Sequence, residues 1–374
     1  MQNVTLGAVD QPHPPPAMPI DPPHMRGFCR PNRRHPAKQP VTPSETAPPP
    51  AGQTALDSLP WLVADVGGTN ARFGWVTDPR RGVEHVQQLP VAGHAGPADA
   101  VRHYLAELGA DARPRRAAIA VATPVTGDAV EMTNSPWRFS RTALQAELGL
   151  DVLLVLNDFE ALALSLPGLR DTQLRAHAAA PSGRGTLSVI GPGTGLGVST
   201  VTETAAGWVA LAGEGGHATL APADEHESAL LQQVRREYAH VSAERLLSGI
   251  GLPVLHAAVA AVGGHTVETL STRLIVEHGL AGEPVCSATL DHFCALLGGF
   301  AGNVALTVGA RGGVFIGGGI VPRLGDRFFQ SRFRERFEAK GRFRDYLADV
   351  PTALITDTLA ALGGAALAIE QHRP

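Results

Sequence analysis

Asn157-Asp158-Phe159-Glu160 is the stretch most suited to chemistry, because it follows the apolar run 152–156 and a helical Ala161-Leu162-Ala163-Leu164 run begins at once. Ligands collect at the carboxyl ends of buried parallel strands. A carboxylate there can take the proton of a hydroxyl that attacks a γ-phosphoryl group, and phosphoryl transfer asks for little more than one such base, positioning and electrostatics. On its own segment Asp158 reads equally as a helix cap, since Asp is a favoured N-cap residue.

Two other segments carry polar groups of a matching kind. Gly213-Glu214-Gly215-Gly216-His217 sets a carboxylate and an imidazole among three glycines, and Val241-Ser242-Ala243-Glu244-Arg245 supplies another carboxylate. Glutamates accept from vicinal hydroxyls, while His217 and Asn157 both donate and accept, so the set suits a polyol. Glycine-flanked acids on loops serve ligands more than stability, which marks Glu214. Read locally, Glu244 is an exposed helix residue beside an arginine.

Two glycine turns share one grammar. Leu62-Val63-Ala64-Asp65-Val66-Gly67-Gly68-Thr69-Asn70 leads into the apolar 73–76, and Leu187-Ser188-Val189-Ile190-Gly191-Pro192-Gly193-Thr194-Gly195-Leu196-Gly197 leads into 198–201. Each is a strand, a glycine turn and a second strand, with backbone N–H groups free to approach an anion. Thr69 and Asn70 add side-chain donors, and Asp65 at a strand end suits a magnesium ion held through water. Neither turn has the glycine spacing of a dinucleotide fingerprint, and neither is followed by the Gly-Lys-Ser/Thr of a P-loop. A pair of such turns in successive halves predicts two related domains that grip one nucleotide. A third glycine cluster, Gly317-Gly318-Gly319, ends the apolar 314–316, and reads equally as a surface for a flat base or as a tight strand-to-helix connection.

The elements that must position these groups read as a mixed α/β chain from Trp61 onward. Strands are expected at 62–66, 73–76, 117–122, 152–156, 187–190, 198–201 and 314–316, and helices at 98–108, 225–238, 290–308 and 358–371. In the third helix Phe293, Leu296, Leu297, Phe300 and Val304 recur at three- and four-residue steps, the signature of a buried face.

Composition bounds the remainder. At 374 residues and 44% hydrophobic, the chain is long enough for two domains, and a net charge of -4 lacks the basic footprint that nucleic acid requires. Three scattered cysteines form neither a disulfide framework nor a zinc motif, which favours a reducing compartment. No apolar run reaches membrane-spanning length, and no basic-then-apolar signal opens the chain, so membrane and export readings fall away. Residues 1–58 hold 14 of the 30 prolines and almost no apolar periodicity, so a disordered extension is expected. Making the chain from Met25, or from near Ser58, should then leave activity intact.

Taken together, the chain resembles the bacterial glucokinase family of the hexokinase and actin-like ATPase superfamily. The resemblance rests on Asp65-Val66-Gly67-Gly68-Thr69-Asn70, Met132-Thr133-Asn134, Asn157-Asp158-Phe159, Gly193-Thr194-Gly195-Leu196-Gly197, Gly213-Glu214-Gly215-Gly216-His217, Val241-Ser242-Ala243-Glu244-Arg245 and Gly317-Gly318-Gly319-Ile320-Val321-Pro322-Arg323, all in family order. It implies a two-domain, ribonuclease H-like fold with the active site in the interdomain cleft. A small domain would comprise 60–166 with 356–374, and a large one 167–355.

The resemblance also implies roles. Asp158 would be the general base; Asn157, Asp158, Glu214, His217 and Glu244 would bind D-glucose. ATP would lie against Asp65, Val66, Gly67, Gly68, Thr69 and Asn70, against Gly193, Thr194 and Gly195, and against Gly318 and Gly319. Magnesium would arrive with ATP and touch Asp65 only through water. A cytoplasmic homodimer without nucleic-acid or membrane partners is implied. The competing reading is a non-catalytic sugar sensor of the same superfamily; glycoside hydrolysis by Glu214 and Glu244 would leave both glycine turns without a purpose.

Overall fold

The computed structural model describes residues 58–109, 112–178 and 184–372. The proline-rich extension expected at 1–58 lies outside the described residues, apart from Ser58.

The first half builds one sheet. Its strands are β1 (Trp61–Val66), β2 (Asn70–Val76), β3 (Glu84–Pro90), β4 (Arg116–Val121) and β7 (Val152–Asn157), with β5 (Ala129–Glu131) and β6 (Arg138–Ser140) forming a separate hairpin. The order is β3-β2-β1-β4-β7: β1 runs antiparallel to β2 and parallel to β4, and β4 parallel to β7. Helices α1 (Pro97–Leu108), α2 (Arg141–Leu148) and α3 (Asp158–Ser165) complete this half.

The second half repeats the plan. Strands β8 (Leu174–Ala178), β9 (Leu187–Pro192), β10 (Leu196–Thr204), β11 (Gly207–Gly213), β12 (Gly313–Ile316) and β13 (Thr352–Ile355) order as β11-β10-β9-β12-β13-β8. Here β9 is antiparallel to β10 and parallel to β12, and β12 is parallel to β13, so the first sheet recurs with β8 added at one edge. The two glycine turns occupy equivalent places, each closing the hairpin between the first two strands of its sheet. Helices α4 (Glu225–Val234), α5 (Leu252–Val262), α6 (Thr272–Leu280) and α7 (Pro284–Val308), four short helices α8 (Val321–Leu324), α9 (Asp326–Gln330), α10 (Phe333–Glu338) and α11 (Arg344–Ala348), and α12 (Ala360–Gln371) follow.

The apolar clusters show how these parts stack. α12 covers β1 and β4 through Leu362, Ala365 and Ile369 against Trp61, Val63 and Ala118, while α3 covers the second sheet through Ala163 and Leu164 against Val189, Val201 and Phe315. The two helices lie against each other between the sheets, so closely that a β-carbon on Gly364 would overlap the Ala161 carbonyl. The outer face of the first sheet packs on α1 and α2, and that of the second on α4 to α7 and the short helices. By composition α7 is long and apolar enough to cross a membrane, yet 67% of its most apolar stretch is buried, and Phe293, Leu297 and Ala301 sit in the core of the second half. It is a core helix.

All seven expected strands form, six with small extensions and the one expected at 117–122 shifted by a residue to Arg116–Val121. The helix expected to run to Tyr238 stops at Val234, and the one expected from Leu290 begins at Pro284, where the Glu283 carboxylate accepts from the N–H groups of Val285 and Cys286 at 3.1 and 2.6 Å. The last helix starts at Ala360 rather than Thr358.

Candidate active site

The stretch after β7 folds as its sequence suggests, with one exchange of roles. Asn157, not Asp158, is the N-cap of α3: its Oδ1 accepts from the Phe159 N–H at 2.9 Å, and its Nδ2 donates to the Thr123 carbonyl at 3.3 Å. Asp158 is the first helical residue, and its Oδ1 also accepts from the Phe159 N–H, at 2.9 Å. Burial, and after it the charge of nearby Asp65, push the Asp158 carboxyl up to about 6. An acid so placed remains ionised at neutral pH yet holds a proton more readily than an ordinary aspartate, as a base requires.

Asp65 lies at the end of β1, opposite Arg72 across the β1–β2 hairpin, and the Arg72 guanidinium donates to its Oδ2 at 3.1 Å. Burial raises the Asp65 carboxyl, and Arg72 opposes the shift by charge and hydrogen bond. The turn from 67 to 69 is tied down on both sides: the Gly67 N–H donates to the Asn70 carbonyl, and the Val91 N–H to the Thr69 carbonyl, each at 2.9 Å. Gly68 lies against Asn134, which brings the 132–134 segment to this turn.

The second turn is braced by two other segments. The N–H groups of Gly249 and Ile250 donate to the carbonyls of Gly193 and Thr194 at 2.7 and 3.3 Å, and the Ile320 N–H donates to the Pro192 carbonyl at 3.1 Å. The third glycine cluster is thus docked on the second. A β-carbon at Gly193 would meet only open space, whereas one at Gly195 would collide with the Glu244 carboxylate.

Glu244 departs from its local reading. It lies in a turn segment rather than a helix; its side chain is 22% exposed, and Oε2 accepts from the Leu196 N–H at 2.9 Å. His217 Nδ1 stands 3.9 Å from Glu244 Oε1. The Glu244 N–H donates to the Gly216 carbonyl at 2.8 Å, which ties the 241–245 segment to the 213–217 loop. Glu214 bridges Val198 through its backbone, and its exposed side chain has no hydrogen-bond or ion-pair partner among the described residues.

The expected residues therefore gather in two groups. Asp65, Asn157 and Asp158 stand at the carboxyl ends of β1 and β7, while Glu214, His217 and Glu244 surround the start of β10. The β9–β10 hairpin touches both groups, because Phe159 packs on Gly191 and Gly197, and Glu244 on Leu196. The contributions of Thr123, Arg72 and the 248–250 segment carried no local signal in the sequence.

A profile of the glucokinase family matches residues 62–372. The chain belongs to the glucokinase family. It is 49% identical over 318 residues to the glucokinase of Chromobacterium violaceum, covering 84% of this chain and 91% of that protein. The bifunctional protein glk of Paraburkholderia xenovorans is 47% identical over 328 residues, which is 87% of this chain and 51% of that protein, so the chain spans about half the length of that relative. Among solved structures, a glucokinase from an Antarctic psychrotroph is 40% identical with a TM-score of 0.79, covering 84% of this chain and 99% of that one.

Proposed function

We propose that this glucokinase-family chain transfers the γ-phosphoryl group of Mg-ATP to the 6-hydroxyl of D-glucose, giving glucose 6-phosphate and ADP. The observation that carries the reading is Asp158: a partly buried carboxylate with a raised pKa, at a strand end, one residue from a side chain packed on a glycine hairpin. Asp158 accepts the hydroxyl proton as O6 bonds to the γ-phosphorus and the bond to the ADP oxygen breaks.

Asn157, Asp158, Glu214, His217 and Glu244 hold the sugar hydroxyls. The 65–70 turn and Gly193, Thr194 and Gly195 take the phosphates; Gly193 offers the open approach, while Gly195 also makes room for Glu244. Gly318 and Gly319, docked on the second turn, lie where adenosine would follow. Among the described residues there is no group of three metal-ligating side chains. One carboxylate such as Asp65 fits a magnesium ion that keeps most of its water and arrives on the triphosphate. When bound, that ion neutralises charge on the phosphates.

The repeated strand order supports an actin-like, ribonuclease H-like pair of domains, 60–166 with 356–374 and 167–355, that close over the sugar. Closure would exclude water, itself an acceptor for the phosphoryl group. The division places α3 in the small domain although it packs on the second sheet, so α3 and α12 form the hinge layer. A cytoplasmic homodimer is proposed on the family resemblance alone.

The test is a coupled assay with Mg-ATP and a panel of hexoses that reads both ADP and sugar 6-phosphate. Stoichiometric ADP and glucose 6-phosphate support the reading. Glucose binding with neither product would replace it by the sugar sensor.

A further inference from the structure

We infer that Phe159 is a positioning residue, whose ring fixes where Asp158 stands relative to the second glycine hairpin. The inference rests on the kinase reading above and concerns a residue to which that reading gives no role.

The geometry is specific. A β-carbon at Gly191 would stand 2.6 Å from Cε1 of Phe159 and closer still to Cζ, and one at Gly197 would overlap Cγ, Cδ2 and Cε2. Gly191 and Gly197 face each other across the β9–β10 ladder, so the pair forms a slot one ring wide. Real β-carbons do not tolerate such distances, and neither Gly191 nor Gly197 has a φ in the left-handed region. These two glycines therefore serve the ring rather than a strained turn.

The other end of the residue is equally constrained. The Phe159 N–H donates to both Asn157 Oδ1 and Asp158 Oδ1 at 2.9 Å, so the backbone that carries the ring also holds the base and a sugar-facing amide. A ring seated in the slot thereby sets the separation between the Asp158 carboxylate and the turn at Gly193 to Gly195. Catalysis by a base depends steeply on this kind of separation, whereas binding through side chains elsewhere does not.

The test uses the full chain in the Mg-ATP and glucose assay, with Phe159→Leu, Gly197→Ala and the double variant, each checked for cooperative thermal unfolding. Phe159→Leu is expected to lower kcat about 100-fold, the cost typical of an ångström-scale misplacement, with a smaller rise in the glucose KM of up to about tenfold, because Asn157 and Asp158 also hold the sugar, and an ATP KM within about threefold. Gly197→Ala displaces the ring from the other side and should also lower kcat. Because the methyl added by Gly197→Ala occupies space that Phe159→Leu vacates, the double variant is expected to be no slower than the worse single variant. A folded Phe159→Leu protein with kcat within about threefold of the parent would overturn the positioning role, as would losses that multiply in the double variant. An active parent separates these outcomes from failure of the kinase reading itself; a parent that forms no glucose 6-phosphate overturns both.

Discussion

The Leu196 N–H donates to Glu244 Oε2 at 2.9 Å across 48 residues of chain, and this bond places a carboxylate in the space left by the absent side chain of Gly195. The other oxygen, Oε1, is left toward His217. Glu244→Gln retains an acceptor for Leu196 but loses the charge that strengthens bonds to sugar hydroxyls. A charged acceptor adds about 1–1.5 kcal/mol over a neutral one, so the glucose KM should rise roughly 5- to 15-fold with little change in Tm. Glu244→Ala should raise KM and lower Tm as well, because it orphans a buried N–H. Steady-state kinetics and thermal unfolding on both variants check this, and an unchanged KM in Glu244→Gln would remove Glu244 from the sugar site.

Asp158 couples activity to stability in opposite directions. Its folded-state pKa of about 6 lies above the ordinary 3.8, so the fold disfavours the ionised form. Above pH 6 this costs stability, and the cost fades as pH falls from 6 toward 3.8, where the group is protonated in both states. Activity runs the other way, since a protonated base accepts nothing: kcat/KM should fall below about pH 6. Asp158→Asn removes base and charge together. It should lose about 10³-fold or more in kcat while gaining up to roughly 3 kcal/mol of stability at pH 8. A folded variant with near-parental turnover, or with lower Tm at pH 8, contradicts the assignment.

The sequence revealed elements whose signal is local. Strands buried on both faces, such as β4 and β9, are apolar throughout 117–121 and, apart from Ser188, throughout 187–190, and α7 shows its core face at helical spacing. What escaped were strands at sheet edges, elements too short for a period, and three longer helices, α2, α5 and α6. β3, with Glu84, His85, Gln87 and Gln88, packs on one side only, and β8 carries Arg175 and His177. β13 is four residues long, and α8 to α11 run four to six residues each. The same distinction holds in the site. Asp158 stood out because a strand end and a helix start flank it in sequence. Glu244 reads locally as a helix residue because its true position depends on Leu196 and Gly216, and Phe159 shows no role of its own beyond its place in the Asn157-Asp158-Phe159 motif because its slot is built by glycines more than 30 residues away.

A stability prediction tests the helical layer on the outer face of the second sheet. Arg336 on α10 donates to Glu227 Oε1 on α4 at 2.5 Å and lies 3.4 Å from Asp224, with side-chain exposures of 9% and 5% for Arg336 and Glu227. Glu227 Oε2 also accepts from the Ala223 N–H at 2.7 Å. Removing one partner of a buried pair strands the other and costs about 3–5 kcal/mol. Glu227→Ala should therefore lower Tm by roughly 5–8 °C, with kcat at low temperature unchanged. Thermal unfolding beside an assay at about 15 °C, where the weakened fold still holds, checks it, and an unchanged Tm would show that the pair contributes no net stability.

Gly318 links the third glycine cluster to the second turn. Its φ is +75°, and a β-carbon there would stand 2.7 Å from the Pro192 carbonyl carbon and closer to its oxygen, the same oxygen that accepts from the Ile320 N–H. Gly318→Ala must therefore shift the 317–320 segment away from the hairpin, in addition to a left-handed strain of about 1–2 kcal/mol. If adenosine lies against this segment, the KM for ATP should rise about tenfold, equivalent to ~1.4 kcal/mol of lost binding, and the glucose KM should hold. Such a split separates a nucleotide role from general loosening of the site, which would raise both constants together. Equal rises would move adenosine away from Gly318 and leave the glycine as a packing requirement of the Pro192 carbonyl.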